Sequence, residues 1–143
     1  MDFFSAMKVS AGALSAQRTR MNVISSNIAN AGATSSTDGS GTYKKKSVVF
    51  QAQPIEQNAF KKAAGQAVET VKVKDIIEDQ SDPRRIFDPK HPDADEEGYI
   101  ALPNVNVVEE MVNLINSSRS YQASATAFKN IKEMANMALS ISN

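Results

Sequence analysis

Residues 105–142 read VNVVEEMVNLINSSRSYQASATAFKNIKEMANMALSIS, without a proline or a glycine. Met111, Leu114, Ser118, Tyr121, Ala125, Phe128, Lys132, Ala135 and Leu139 follow alternating steps of three and four residues. Val108, Ile115, Ile131, Ala138 and Ile141 widen that stripe. This is the spacing of a helix with one apolar face. At ~1.5 Å per residue such a helix is about 55 Å long, more than a compact domain of this size requires. Small residues (Ser118, Ala125) alternate with large ones (Tyr121, Phe128) along the seam. The small positions allow another helix to approach closely.

A second stripe lies at the opposite end of the chain. Met7, Leu14, Met21 and Ile28 fall seven residues apart, and Phe4, Ala11, Ile24 and Ala31 fill the intervals. The pattern predicts a helix from about Phe3 to Ala31, close to a heptad seam. Ser10, Gln17, Arg18 and Ser25 interrupt it, so this helix would be marginal alone. Gly32 marks its stop.

The expected fold is therefore mainly α with a small β region. Residues 1–31 and 105–143 would form long N- and C-terminal helices in an antiparallel coiled-coil pair, and residues 32–104 a loop and a β-containing insertion on the outside. Within the insertion, GATSSTDGSGT (32–42) reads as a flexible loop. Tyr43–Gln53, with Val48, Val49 and Phe50, is strand-like up to Pro54. The alternation of Val71 and Val73 with Lys72 and Lys74 predicts a half-exposed strand over 67–77. Residues 55–66 give no clear signal. Pro83, Pro89 and Pro92 forbid a regular helix in the following stretch, and 98–102 suggests one more short strand. So thin a polar middle cannot cover both stripes, so helices of partner molecules are expected to complete them.

The 143 residues carry no net charge, but the charge is segregated. Residues 1–74 hold ten Lys/Arg against four Asp/Glu, and residues 75–110 hold three against eleven. Opposite patches of this kind orient association between neighbours. They also disfavour nucleic-acid binding, because the acidic segment would repel phosphate. No stretch approaches the ~20 apolar residues of a membrane span. Asp2 stands where the basic start of a cleavable signal would be, so a secreted fate would need another route. The absence of cysteine removes disulfide and thiolate chemistry.

Little in the chain suggests catalysis. The one histidine, His91, sits among Asp88, Asp93, Asp95, Glu96 and Glu97 in a proline-rich segment with no regular spacing to aim them at a metal. Turn capping and pairing with Arg84, Arg85 or upstream lysines is the better reading of these carboxylates. No GxSxG, GxGxxG, P-loop or HExxH pattern occurs. The expectation is a structural chain, not an enzyme, with no cofactor and no metal site.

Three stretches carry a resemblance: SAGALSAQRTRMNVISSNIANAGATSS (10–36), TYKKKSVVFQ (42–51) and DPKHPDADEEGYIALPNVNVVEEMVNLINSSRSYQASATAFKNIKEMA (88–135). In this order the chain resembles the flagellar basal-body rod proteins, and within them the proximal rod branch. The SNIAN element, with Asn27 and Asn30, is shared widely in that group. The run through Pro103 and Asn104 into VNVVEEM is narrower. The loop at 32–42 is richer in Ser and Gly than the resemblance leads one to expect.

The resemblance implies a subunit whose terminal helices pair and stack helically into a rod that crosses the periplasm and carries motor torque. It implies export by the flagellar type III system. The implied partners are copies of the chain, other rod proteins, and MS-ring and export-gate proteins at the rod base. Met7, Leu14, Met21 and Ile28 are expected to pack against Leu114, Tyr121, Phe128 and Ala135, within one subunit or between neighbours, with Ile24, Met111 and Leu139 extending the contact. Asn27, Asn30 and Asn104 are assigned to helix ends and turns, where an amide can satisfy backbone groups. Two other readings compete: a different secreted coiled-coil protein, such as a type III needle or translocator component, and a metal-dependent enzyme.

Overall fold

Helix α1 (Phe3–Ala29) and helix α2 (Val107–Ile141) are the longest elements in a computed structural model of the chain, which describes residues 3–34, 41–55 and 68–141. Four strands lie between them: β1 (Lys46–Pro54), β2 (Glu69–Glu78), β3 (Arg84–Phe87) and β4 (Tyr99–Leu102). The architecture is the one predicted, mainly helical with a small β region inserted between two long terminal helices. Most of the loop expected at 32–42 and of the ambiguous stretch at 55–66 lies outside the described residues.

The helices pack against each other along their lengths. Asn27, near the end of α1, bonds Glu110 in the first turn of α2, and Ile24 faces the same cleft as Asn113. The pair is therefore antiparallel. The deepest residues on α1 are Ser5, Ala16, Ile24 and Asn27, and on α2 Glu110 and Ser117. Ser5, Ala16 and Asn27 recur every eleven residues, three full helical turns, so they form a nearly straight line.

Local chemistry explains the helix ends. At the end of α1 the Asn30 side-chain amide donates to the Ser26 carbonyl at 2.8 Å, and the Ala31 N–H reaches back to Ile28 O at 3.3 Å, tightening the last turn. At the start of α2, Asn106 Oδ1 accepts from Val108 N at 3.1 Å and Glu109 N at 3.4 Å. That is an N-cap, and Glu109 and Glu110 in the first turn complement the helix dipole. The cap is thus Asn106, and Asn104 lies at the bend just before it. The Val105 N–H turns back onto Pro103 O at 2.8 Å, which delays the first helical residue by two positions.

Strands β1 and β2 form an antiparallel hairpin paired from Lys46↔Glu78 to Pro54↔Glu69. The register slips where Val49 faces Asp75 and Phe50 faces Val73, leaving Lys74 unpaired. This bulge changes the phase of β2, so that Val71, Val73 and Ile76 fall opposite Ala52, Phe50 and Val48 on one face. That face lies over α1: Val48 shares a cleft with Val23 and Ile24, Ile76 lies beside Thr19 and Val23, and Arg20 stands 5.7 Å over the Phe50 ring. Helix α1 is thus sandwiched between α2 and the hairpin.

Gly12 makes the far end of that sandwich possible. A Cβ there would collide with Thr70 Oγ1 and stand 3.0 Å from the Val71 carbonyl oxygen. Gly12→Ala should therefore lift β2 off α1, at a cost of about 1–3 kcal/mol for overpacking. Hydrogen exchange should show faster exchange at 70–73 with α2 protection retained. Unchanged protection across β2 would refute the close approach.

The second hairpin pairs Arg84↔Leu102 through Phe87↔Tyr99. The prolines around it excluded a regular helix, and a short strand was expected only over 98–102. Pro83 and Pro89 instead bracket the four residues of β3, which leaves its ladder intact. Gly98 closes the turn at φ +81°, where L side chains are strained, and a Cβ would crowd the Phe87 ring at 3.0 Å.

Candidate functional site

The most concentrated polar chemistry in the described residues centres on Asn27, which is 1% exposed. Its Nδ2 donates to Lys46 O at 2.8 Å and to Glu110 Oε2 at 2.9 Å. Its Oδ1 accepts from the Lys46 N–H and from the Tyr43 hydroxyl, both at 2.9 Å. Both amide donors and both acceptor sites are filled, so the group is buried without an unmet bond. Glu110, 3% exposed, also pairs through Oε1 with Lys45 Nζ at 3.2 Å. One amide thereby joins α1, the entry to β1 and the first turn of α2.

The sequence TYKKK delivers these partners by strand geometry. Successive side chains of extended chain point to opposite sides. Tyr43 and Lys45 turn inward to Asn27 and Glu110, whereas Lys44 turns outward to Gln80 at 3.1 Å. The three adjacent lysines have separate roles. Lys45→Ala strips the cation from a buried carboxylate and should cost about 1–3 kcal/mol. Lys44→Ala should stay within about 0.5 kcal/mol. Urea midpoints of the two variants check this, and equal midpoints would contradict it.

The other residues singled out by sequence fall into distinct environments. Ile24 is buried, and Met7, Leu14, Met21 and Ile28 are half-buried along α1. Leu114, Tyr121, Phe128 and Ala135 are half-buried along α2. Met111 and Leu139 lie on the outside of α2, 50% and 68% exposed. Pro103 is fully buried at the approach to α2, and Asn104 is exposed beside a cleft of about 200 Å³ shared with Thr42, Tyr43 and Lys45. Sequence reasoning missed Glu110, Lys45 and Tyr43. Asn27 and Glu110 stand 83 residues apart, and nothing in local spacing announces their meeting.

The acidic loop between β3 and β4 is bonded within itself, to Arg85 on β3 and to Thr34 beyond α1. Asp95 Oδ1 accepts from Tyr99 N at 2.8 Å and Glu97 N at 3.0 Å, and Asp95 Oδ2 meets Arg85 at 2.6 Å. The Tyr99 N–H, then Arg85 and the Glu97 N–H, hold the Asp95 carboxyl below the usual carboxylate range. A depressed carboxylate supports the fold at neutral pH, and that support fades as pH falls through its lowered value. His91 Nδ1 accepts from the Asp93 N–H at 3.1 Å, and Asp93 accepts from Thr34 Oγ1 at 2.6 Å. Among the described residues no three His, Asp or Glu side chains converge as a metal site would require. Nor, among them, is any helix long and apolar enough to cross a membrane.

The two long helices are locked by a buried amide and an ion pair, and the polar chemistry of the described residues joins element to element, the arrangement of a helical structural protein. Residues 7–35 match the family described as flagella basal body rod protein, and residues 96–141 match the flagellar basal body rod FlgEFG protein C-terminal family. The flagellar basal-body rod protein FlgC of Bacillus subtilis (strain 168) is 42% identical, with 99% of each chain covered. That of Borreliella burgdorferi is 38% identical over 99% of this chain and 98% of its own. That of Salmonella typhimurium (strain LT2) is 40% identical over 94% and 93%. The chain belongs to the FlgC family of flagellar basal-body rod proteins, structural proteins of the bacterial flagellar basal body.

Proposed function

We propose that this chain is a subunit of the proximal rod that assembles helically through its terminal helices and transmits motor torque across the periplasm. Its export is through the flagellar type III system. Its neighbours are copies of itself and other rod proteins, with MS-ring and export-gate proteins at the rod base. The helix pair forms the core of the assembled layer, and residues 32–104 lie outside it. Family membership supports the setting.

The observation that carries the reading is the outer face of α2. Val108, Met111, Val112 and Ile115 are each at least half exposed at its start, as are Met134, Met137 and Leu139 near its end. The hairpin covers α1, but apolar side chains in these groups have no cover within the subunit. Identical subunits that bury such surfaces through unlike patches build open helical assemblies.

The test is the double variant Val112→Asp/Ile115→Asp. It should keep its helical circular dichroism and still be exported. It should be missing from purified basal bodies, and cells carrying it should not swim. Normal swimming with the variant incorporated would overturn the proposal.

A further inference from the structure

The seam between α1 and α2 carries little shape information. Its deepest positions include Ser5, Ala16 and Ser117, all small, and its apolar residues recur at helical intervals that a slide by two turns would nearly reproduce. Gln17 Oε1, also buried on α1, has no bonding partner and cannot key the alignment. Among the described residues, the feature with a unique position is the Asn27–Glu110–Lys45 cluster. Sliding α2 would remove Glu110 from Asn27 and from Lys45 together, leaving a buried carboxylate without donor or cation.

We infer that Asn27 and Glu110 set the register of the two terminal helices. The apolar stripes supply attraction that tolerates several alignments. The buried polar pair penalises every alignment except one, as single buried polar residues do in coiled coils. Because Asn27 also holds the Lys46 backbone and Tyr43, the same contact fixes where β1 begins against the helices. Register and hairpin position are thus set by one side chain, a positioning role independent of which neighbours the subunit meets.

The chain has no cysteine, so disulfide trapping can read the register directly. Ile24 and Asn113 line one cleft, so the pair Ile24→Cys/Asn113→Cys reports the observed alignment. Ser120 stands seven residues further along α2, displaced by ~10 Å, beyond disulfide reach. The pair Ile24→Cys/Ser120→Cys therefore reports a slide of two turns. In the full-length chain at dilute concentration, the first pair should close and the second should not.

The decisive background is Asn27→Leu/Glu110→Leu, which replaces the polar pair with apolar side chains and removes the penalty without emptying the seam. It should remain helical by circular dichroism while the ratio of first to second cross-link falls roughly tenfold or more, the scale of one or two lost buried bonds. A more conservative variant, Glu110→Gln, keeps an acceptor for Asn27 and should keep the first cross-link dominant. A helical Leu/Leu protein that still closes only the first pair would overturn the inference. Loss of helicity in the Leu/Leu background would overturn it too, by showing that the cluster supports folding in general and does not select an alignment.

Discussion

The Asn27→Ala protein is expected to lose about 3 kcal/mol of stability, because truncation takes a donor from a buried carboxylate and strands two backbone groups at once. Alanine leaves Glu110 with only its Lys45 partner, removes the acceptor for the Lys46 N–H, and removes the donor for the Lys46 carbonyl. Few single changes in this chain touch so many filled valences. For a protein of this length the melting midpoint should fall by roughly 10 °C. Asn27→Asp should do no better, since a second carboxylate would face Glu110 and could not donate to Lys46 O. Thermal unfolding by circular dichroism checks both. A midpoint within a degree or two of the parent for Asn27→Ala would mean that the four bonds contribute nothing net.

Phe128→Asp is the second large effect, and it is read in cells. Phe128 is half-buried on α2, on the same three–four stripe as the half-buried Leu114, Tyr121 and Ala125. An aspartate there must either stay charged in a poorly solvated place or push the helices apart. The expected outcome is a protein that is made and exported but fails to enter the basal body, with swimming abolished. Loss of packing alone costs about 3–5 kcal/mol for a fully buried phenylalanine, and the partial burial here lowers that figure. Wild-type swimming from this strain would defeat the packing scheme of α1 against α2.

The helices were legible because their signal is local and repeated. Except for the exposed Lys132, the three–four steps from Leu114 to Ala135 sit on the side of α2 that the structure half-buries, and the Met7–Leu14–Met21–Ile28 heptad sits likewise on α1. Spacing alone does not tell which residues of a stripe are buried within the subunit and which stay on its surface. Met111 and Leu139 share the stripe's arithmetic yet face outward, and Glu110, one residue from Met111, is the side chain that goes in. A charged residue beside an apolar one looks like a solvated flank until its partner is known. The strand β3 escaped notice because four residues between prolines are too few for a periodic pattern to register.

Sequence by itself determined the two terminal helices, the β character of the insertion and the membership of a rod-protein family. Each follows from short-range periodicity, from side-chain types or from ordered motifs along the chain. Only the tertiary structure decided that α1 lies between α2 and the β1–β2 hairpin, that Gly12 admits Thr70, and that Asn27 meets Glu110 and Lys45. The physical reason is that burial and hydrogen-bond partners are properties of distant pairs. An asparagine at residue 27 is an ordinary helix-end residue until the chain brings position 110 to it.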